Sequence, residues 1–270
     1  MNPWVESLGV LLIAVGGTLL GAWCSRLPNR YWLIGYFIPL FLIALYAVAS
    51  RFPILIFTPP ISWMMLGRAK FASVGFIGAM MLTTPLLKLP LRRDRIALGC
   101  LGAVIVLLAS VWPFLAPAFN HDYLASLVTR IDSDGVCLQN TAYTCGPASA
   151  VTALRKLGLP AEEGQVAILA HTSAAAGTPP DVLAQALAQE YSARGLVCTY
   201  RHFASVDELK RAGLTLAVVK FNLVLDHYVT VLDVSGDTVT VGDPLNGLTK
   251  MTFVEFADKW RFEGVVLSRK

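Results

Sequence analysis

The sequence predicts an α-helical transmembrane bundle followed by an α+β domain in which a helical lobe precedes an antiparallel sheet. Three observations lead there. Of 270 residues, 55% are hydrophobic and the mean hydropathy is +0.59, too apolar overall for an ordinary water-soluble protein. The excess lies in the first 120 residues, where nine Lys or Arg stand against only Glu6 and Asp94, a balance of +7. Residues 121–270 carry thirteen basic and sixteen acidic side chains, a balance of −3, and their apolar residues follow first a helical and then an alternating period. The chain therefore reads as two domains, 1–120 and 121–270.

In the first domain, Ser7 to Trp23, Tyr31 to Ser50, Phe71 to Leu87 and Ile96 to Phe114 are each about long enough to cross a ~30 Å hydrocarbon layer as a helix. A fifth apolar run, Pro53 to Leu66, is broken by Pro59 and Pro60 and reads as re-entrant or interfacial, because adjacent prolines leave backbone groups that only protein or water can satisfy. Met1 to Glu6 lacks the basic stretch that opens a cleaved signal peptide. With four spans and an external amino terminus, the cytoplasmic loops hold Arg26, Arg30, Lys88, Arg92, Arg93 and Arg95, while Arg51, Arg68 and Lys70 stay outside. That split obeys the positive-inside rule and places the second domain on the extracytoplasmic side of a bacterial-type plasma (inner) membrane; one extra crossing would reverse it. The predicted spans contain no Asp, Glu or His, so their expected role is anchoring, with Gly16, Gly17 and Gly21 allowing close helix contact.

The second domain opens its chemistry at Cys137 to Leu157, "CLQNTAYTCGPASAVTALRKL". Val151, Leu154 and Leu157 recur at helical spacing, Pro147 suits a first turn, and Gly158 before Leu159-Pro160 is a stop signal. Cys145 thus stands at a helix amino terminus, where unpaired amides and the helix dipole favour a thiolate. A second helix is expected from "TPPDVLAQALAQEY". The pattern then alternates through residues 196–201, 216–221, 227–234 and 238–243, rich in β-branched side chains and separated by turns such as Ser235-Gly236-Asp237.

A thiol nucleophile needs a base, a group to orient that base, and donors for the oxyanion. His227 opens one predicted strand and Asp243 closes the next, so a hairpin about Gly236 would bring imidazole and carboxylate together. Asn246 and Asp226 are alternative orienting groups. Gln139, six residues before Cys145, offers an amide beside the backbone N–H of Cys145. Each residue also has a plainer reading: Cys145 as a small buried residue, His227 as a half-buried strand histidine, Asp243 as a turn residue before Pro244, Gln139 as a loop amide.

Taken together, "QNTAYTCGPAS", "DHYVTVLDV" and "GDPLNG" followed by "FVEFADKW" resemble the C39 family of papain-like cysteine peptidases, the bacteriocin-processing peptidases. The similarity runs from about Ser133 to Leu267. It implies a papain-like fold with Cys145 as nucleophile, His227 as base, Asp243 as orienting acid and Gln139 as oxyanion donor, acting on a peptide or protein substrate. Family members that cut after Gly-Gly leaders place this domain before the membrane helices of an ATP-driven exporter. Here the order is reversed and no phosphate loop occurs, so the resemblance implies the peptidase chemistry and not the export role; a separate exporter is a candidate partner. Thr144 stands where the family often has an acidic residue, which keeps open a non-catalytic peptide-binding module on a membrane anchor. A third reading is acyl transfer by the same triad.

No cofactor or metal is expected, since neither C-x-x-C nor H-x-x-x-H spacing occurs. Nucleic acid is not an expected partner either, because the second domain is mildly acidic; the lipid bilayer is. His121, His171 and His202 read as surface or capping residues, and pairing of Cys137 with Cys198 stays open.

Overall fold

The computed structural model describes residues 3–49, 52, 55, 57–65, 69–221 and 225–270, and it divides into two compact units, Met1–Ala118 and Phe119–Lys270. In the first unit, helix α1 spans Pro3–Ser25, α2 Ile34–Ala49 after a tight turn at Tyr31–Leu33, α3 Ile61–Met65 and α4 Ala69–Thr83. Helix α5, Arg92–Val106, runs through a π-helical turn at Leu107–Val111 into α6, Trp112–Phe119. Among the described residues, four stretches are long and apolar enough to cross a membrane: Trp4–Ser25, Tyr31–Ala49, Ala69–Lys88 and Arg92–Phe119. Outward-facing Leu12, Leu19, Phe37 and Phe41 are all mostly exposed, a surface suited to hydrocarbon rather than water. Of the run from Pro53 to Leu66, residues Pro53, Ile54, Ile56 and Leu66 lie outside the described residues; the described part is a turn around Pro59 and Pro60 followed by α3.

Small residues set how closely α1 and α4 approach. A Cβ on Gly17 would stand 2.6 Å from the carbonyl oxygen of Phe76, and one on Gly21 would meet the Met80 carbonyl at the same distance. Gly16, expected to share this role, faces open space with no atom within 4 Å of such a Cβ. A single residue of register decides which glycine lies in the seam.

The second unit is built around a six-stranded, wholly antiparallel sheet of order β3-β8-β4-β5-β6-β7. Its strands are β3 Leu196–His202, β4 Thr215–Lys220, β5 Asp226–Ser235, β6 Thr238–Asp243, β7 Gly247–Thr252 and β8 Trp260–Arg269; a separate pair, β1 Arg130–Ile131 and β2 Cys137–Leu138, precedes it. Helices α7 His121–Ala125, α8 Cys145–Lys156, α9 Glu163–Leu169 and α10 Pro180–Tyr191 come before β3; α11 Val206–Ala212 and α12 Phe253–Lys259 interrupt the strands.

Both faces of the sheet are covered. On one side Leu216, Val218, Val265 and Leu267 pack with Val151 and Leu154 of α8 and Leu183 and Leu187 of α10. On the other, Ala217, Val219, Val229 and Val231 pack with Phe203, Leu209, Phe256 and Trp260. This is why β4 reads as a continuous apolar run rather than an alternation: both of its faces are dry. Burying a side chain as large as Trp260, 1% exposed, contributes on the order of 2–3 kcal/mol. Strands β7 and β8 and helices α9, α11 and α12 were not among the elements expected from periodicity, although Thr252 and Glu255 form a complete capping box at the start of α12.

Candidate active site

Helix α8 begins at Cys145, with Thr144 as its N-cap. The turn before it is closed on itself: the Thr144 hydroxyl accepts from the Thr141 N–H at 3.1 Å and donates to the Thr141 carbonyl at 3.3 Å. A neutral hydroxyl that both donates and accepts suits this buried position, which accounts locally for a threonine here. Gly146 is required next because a Cβ would come within 2.9 Å of the Thr178 side chain.

Strands β5 and β6 form the hairpin expected about Gly236, whose φ is +55°. At its open end His227 Nε2 meets Asp243 Oδ1 at 2.8 Å, and their side chains are only 9% and 14% exposed. Two further donors fix the carboxylate: the Leu245 N–H reaches Oδ1 at 2.9 Å and the Asn246 amide reaches Oδ2 at 2.7 Å. Asn246, one alternative to Asp243, therefore supports it instead of replacing it. Asp226, the other alternative, is held away by the Arg261 guanidinium at 2.8 Å.

With Nε2 engaged, Nδ1 is the ring nitrogen left for a second partner, and the Cys145 side chain lies close enough to the ring to favour its charged form. Burial opposes charge on His227, but the Asp243 hydrogen bond, followed by the hydrogen bond and charge of Cys145, raises its pKa from 6.5 to about 9. Burial likewise works against ionised Asp243, yet His227, the Leu245 N–H and the Asn246 amide together hold its carboxyl below the usual range. Cys137 and Cys198 are separate free thiols, each pushed up to about 12, mainly by burial.

Gln139 lies just past β2. Its backbone N–H donates to the Pro244 carbonyl at 3.0 Å, and its side-chain Nε2 donates to the Thr141 carbonyl at 2.7 Å. An amide carries two N–H donors, so one remains. Tyr228, the residue after His227, donates its hydroxyl to the Thr178 carbonyl at 2.8 Å and so ties the loop ahead of α10 to the sheet beside Cys145. No spacing rule foresees that contact, which joins residues 50 positions apart. His121 is exposed beside Asp122, His171 sits in a left-handed turn with φ +53°, and His202 ends β3. The segment "FNLVLD" before His227 includes residues 222–224, outside the described residues.

A model of the peptidase C39 family matches residues 134–270. An uncharacterized protein of Methanothermobacter marburgensis is 32% identical over 109 residues, covering 40% of this chain and 70% of that protein. Another from Methanothermobacter thermautotrophicus is 27% identical over 119 residues, covering 44% and 78%. Among solved structures, a double glycine motif protease from an AMS/PCAT transporter, in complex with the leader peptide, aligns with a TM-score of 0.44 at 20% identity, over 54% of this chain and 96% of that one. The peptidase domain of Streptococcus ComA, a bi-functional ABC transporter, aligns with a TM-score of 0.42 at 19% identity, over 49% and 96%. The family match falls on the unit that holds Cys145, His227 and Asp243 and takes in half of the sequence: the chain belongs to the peptidase C39 family.

Proposed function

We propose that this protein is a membrane-anchored cysteine peptidase in which Cys145 is the nucleophile, His227 the base, Asp243 the orienting acid and Gln139 an oxyanion donor. The observation that carries this reading is the 2.8 Å pairing of His227 with Asp243, on a ring whose charge is further favoured by the nearby Cys145 side chain at the start of the twelve-residue helix α8. His227 takes the thiol proton, and the sulfur adds to the carbonyl carbon of a peptide bond while the carbonyl π pair moves to oxygen. The backbone N–H of Cys145 and the remaining N–H of Gln139 receive that oxyanion. His227 then returns the proton to the departing amine, leaving a thioester that water hydrolyses with the same ring as base.

The substrate class is a peptide, in keeping with the family. Four apolar helices support anchoring in a plasma (inner) membrane, and the distribution of basic residues between loops supports an extracytoplasmic peptidase unit. A reporter fused after Lys270 that is active only in the cytoplasm overturns that orientation. For the chemistry, the full chain in detergent is incubated with a quenched-fluorescent peptide library. Cleavage that disappears in Cys145→Ser supports the peptidase. Peptide binding without cleavage, unchanged in Cys145→Ala, identifies a binding module instead.

A further inference from the structure

Glu163 has no exposed surface, yet its carboxyl group is not idle. One oxygen accepts the backbone N–H of Asn140 at 2.9 Å and the other accepts the Asn140 side-chain amide. That amide also donates to the Val128 carbonyl at 2.9 Å, so both of its N–H groups are engaged. The backbone N–H of Glu163 itself goes to the Thr129 hydroxyl at 2.8 Å.

Asn140 follows Gln139. The peptide group joining them is therefore gripped at both ends: Arg130 donates to the Gln139 carbonyl at 2.8 Å, and the Asn140 N–H points into Glu163. Of the two grips the glutamate is the rigid one, being buried where Arg130 is exposed. Fixing that peptide plane fixes the direction in which the Gln139 side chain leaves the backbone. Replacing buried charged groups by apolar side chains of similar volume is often neutral or stabilising, so the burial of this carboxyl group is weak evidence of a stability role, whereas its bonds bear directly on placement of the loop.

We propose that Glu163 is a positioning residue for the oxyanion side of the site, acting through Asn140 to set the amide of Gln139. This rests on the peptidase reading above. Misplacing a catalytic donor by about 1 Å costs up to ~10²-fold in rate.

The test compares Glu163→Gln, Asn140→Ala and Thr129→Val with the wild-type full chain in detergent, using the best-cleaved library peptide, an aldehyde of the same sequence, and iodoacetamide. In the aldehyde complex the Cys145 sulfur bonds to the aldehyde carbon, the π pair moves to oxygen, and the thiol proton passes to His227, so affinity depends on the oxyanion donors. In alkylation the sulfur displaces iodide and the proton again passes to His227, with no oxyanion formed. Glu163→Gln and Asn140→Ala are expected to lower kcat and aldehyde affinity about tenfold or more, with KM and the alkylation rate of Cys145 within about twofold. Thr129→Val, which breaks only the bond to the Glu163 backbone, is expected to match wild type. Wild-type-like aldehyde affinity in both variants overturns the inference alone, as does a parallel fall in alkylation or an equal loss in Thr129→Val. A wild-type chain that neither cleaves nor binds the aldehyde overturns the peptidase reading, and the inference with it.

Discussion

The backbone N–H of Gln139 donates to the carbonyl oxygen of Pro244 at 3.0 Å, which joins the loop before Cys145 to the turn that follows Asp243. The group proposed to receive the oxyanion and the group proposed to orient the imidazole thus share one hydrogen-bonded frame. In that frame, changes at the Asp243 turn reach Gln139 through backbone rather than through flexible side chains.

Thiol reactivity separates the cysteines of the second unit. Cys137 and Cys198, both near a pKa of about 12, carry almost no thiolate at neutral pH. Iodoacetamide should label Cys145 about 10²-fold faster than either, read by mass spectrometry of tryptic peptides. Comparable rates at all three would remove the thiol from the proposed chemistry.

The pH profile follows from His227. Its charge persists until the pH rises through about 9, after which the ring no longer holds the proton that the leaving amine needs. kcat/KM should therefore fall on the alkaline side with an apparent pKa near 9. Asp243→Asn removes a carboxylate that raises this value, so the alkaline limb should move to lower pH and kcat fall about 10²-fold. An unmoved limb in that variant contradicts the role given to Asp243.

Asn246 and Asp226 should behave differently, although both lie within three residues of the dyad. Asn246→Ala frees Asp243 Oδ2 and should lower kcat by about threefold to tenfold, with a smaller shift of the same limb. Asp226→Ala breaks an exposed pair with Arg261 and should leave kcat within about twofold. The reverse ranking would make Asp226 the orienting group.

Gly146→Ala tests the packing beneath the thiol. The new methyl group would come within 2.9 Å of Thr178 Cβ, displacing either the start of α8 or the loop that Tyr228 holds. The expected result is a loss of about 1–3 kcal/mol of stability in denaturant unfolding and a fall in kcat larger than that in Ala150→Gly, further along the same helix. Equal stability and activity would mean that the loop gives way freely.

Much of the candidate site was legible because its signals are local. Cys-Gly-Pro followed by apolar residues at helical spacing signals a helix start, and Ser235-Gly236-Asp237 between alternating runs signals a hairpin whose closure brings residues 227 and 243 to the same end. Gln139 was legible as a residue type at a fixed offset, but not its bond to Pro244. Strand β8 escaped because it lies between β3 and β4, so its place depends on partners distant in sequence, with Leu216 opposite Val265 on one side and Cys198 opposite Leu267 on the other. Helix α9 escaped because it is seven residues long and gains its burial from the segment around Leu124, against which Gly164 packs.

By itself the sequence determined the two-part character of the chain, the four apolar stretches, and a candidate thiol and imidazole, since composition, period and turn chemistry act over a few residues. Only the tertiary structure decided which of Asp243, Asn246 and Asp226 meets the imidazole, that Gly17 rather than Gly16 faces α4, and that a buried glutamate grips the loop of Gln139. Those outcomes rest on contacts between distant segments, where a rotation of one residue exchanges a partner for solvent, and no local pattern encodes that choice.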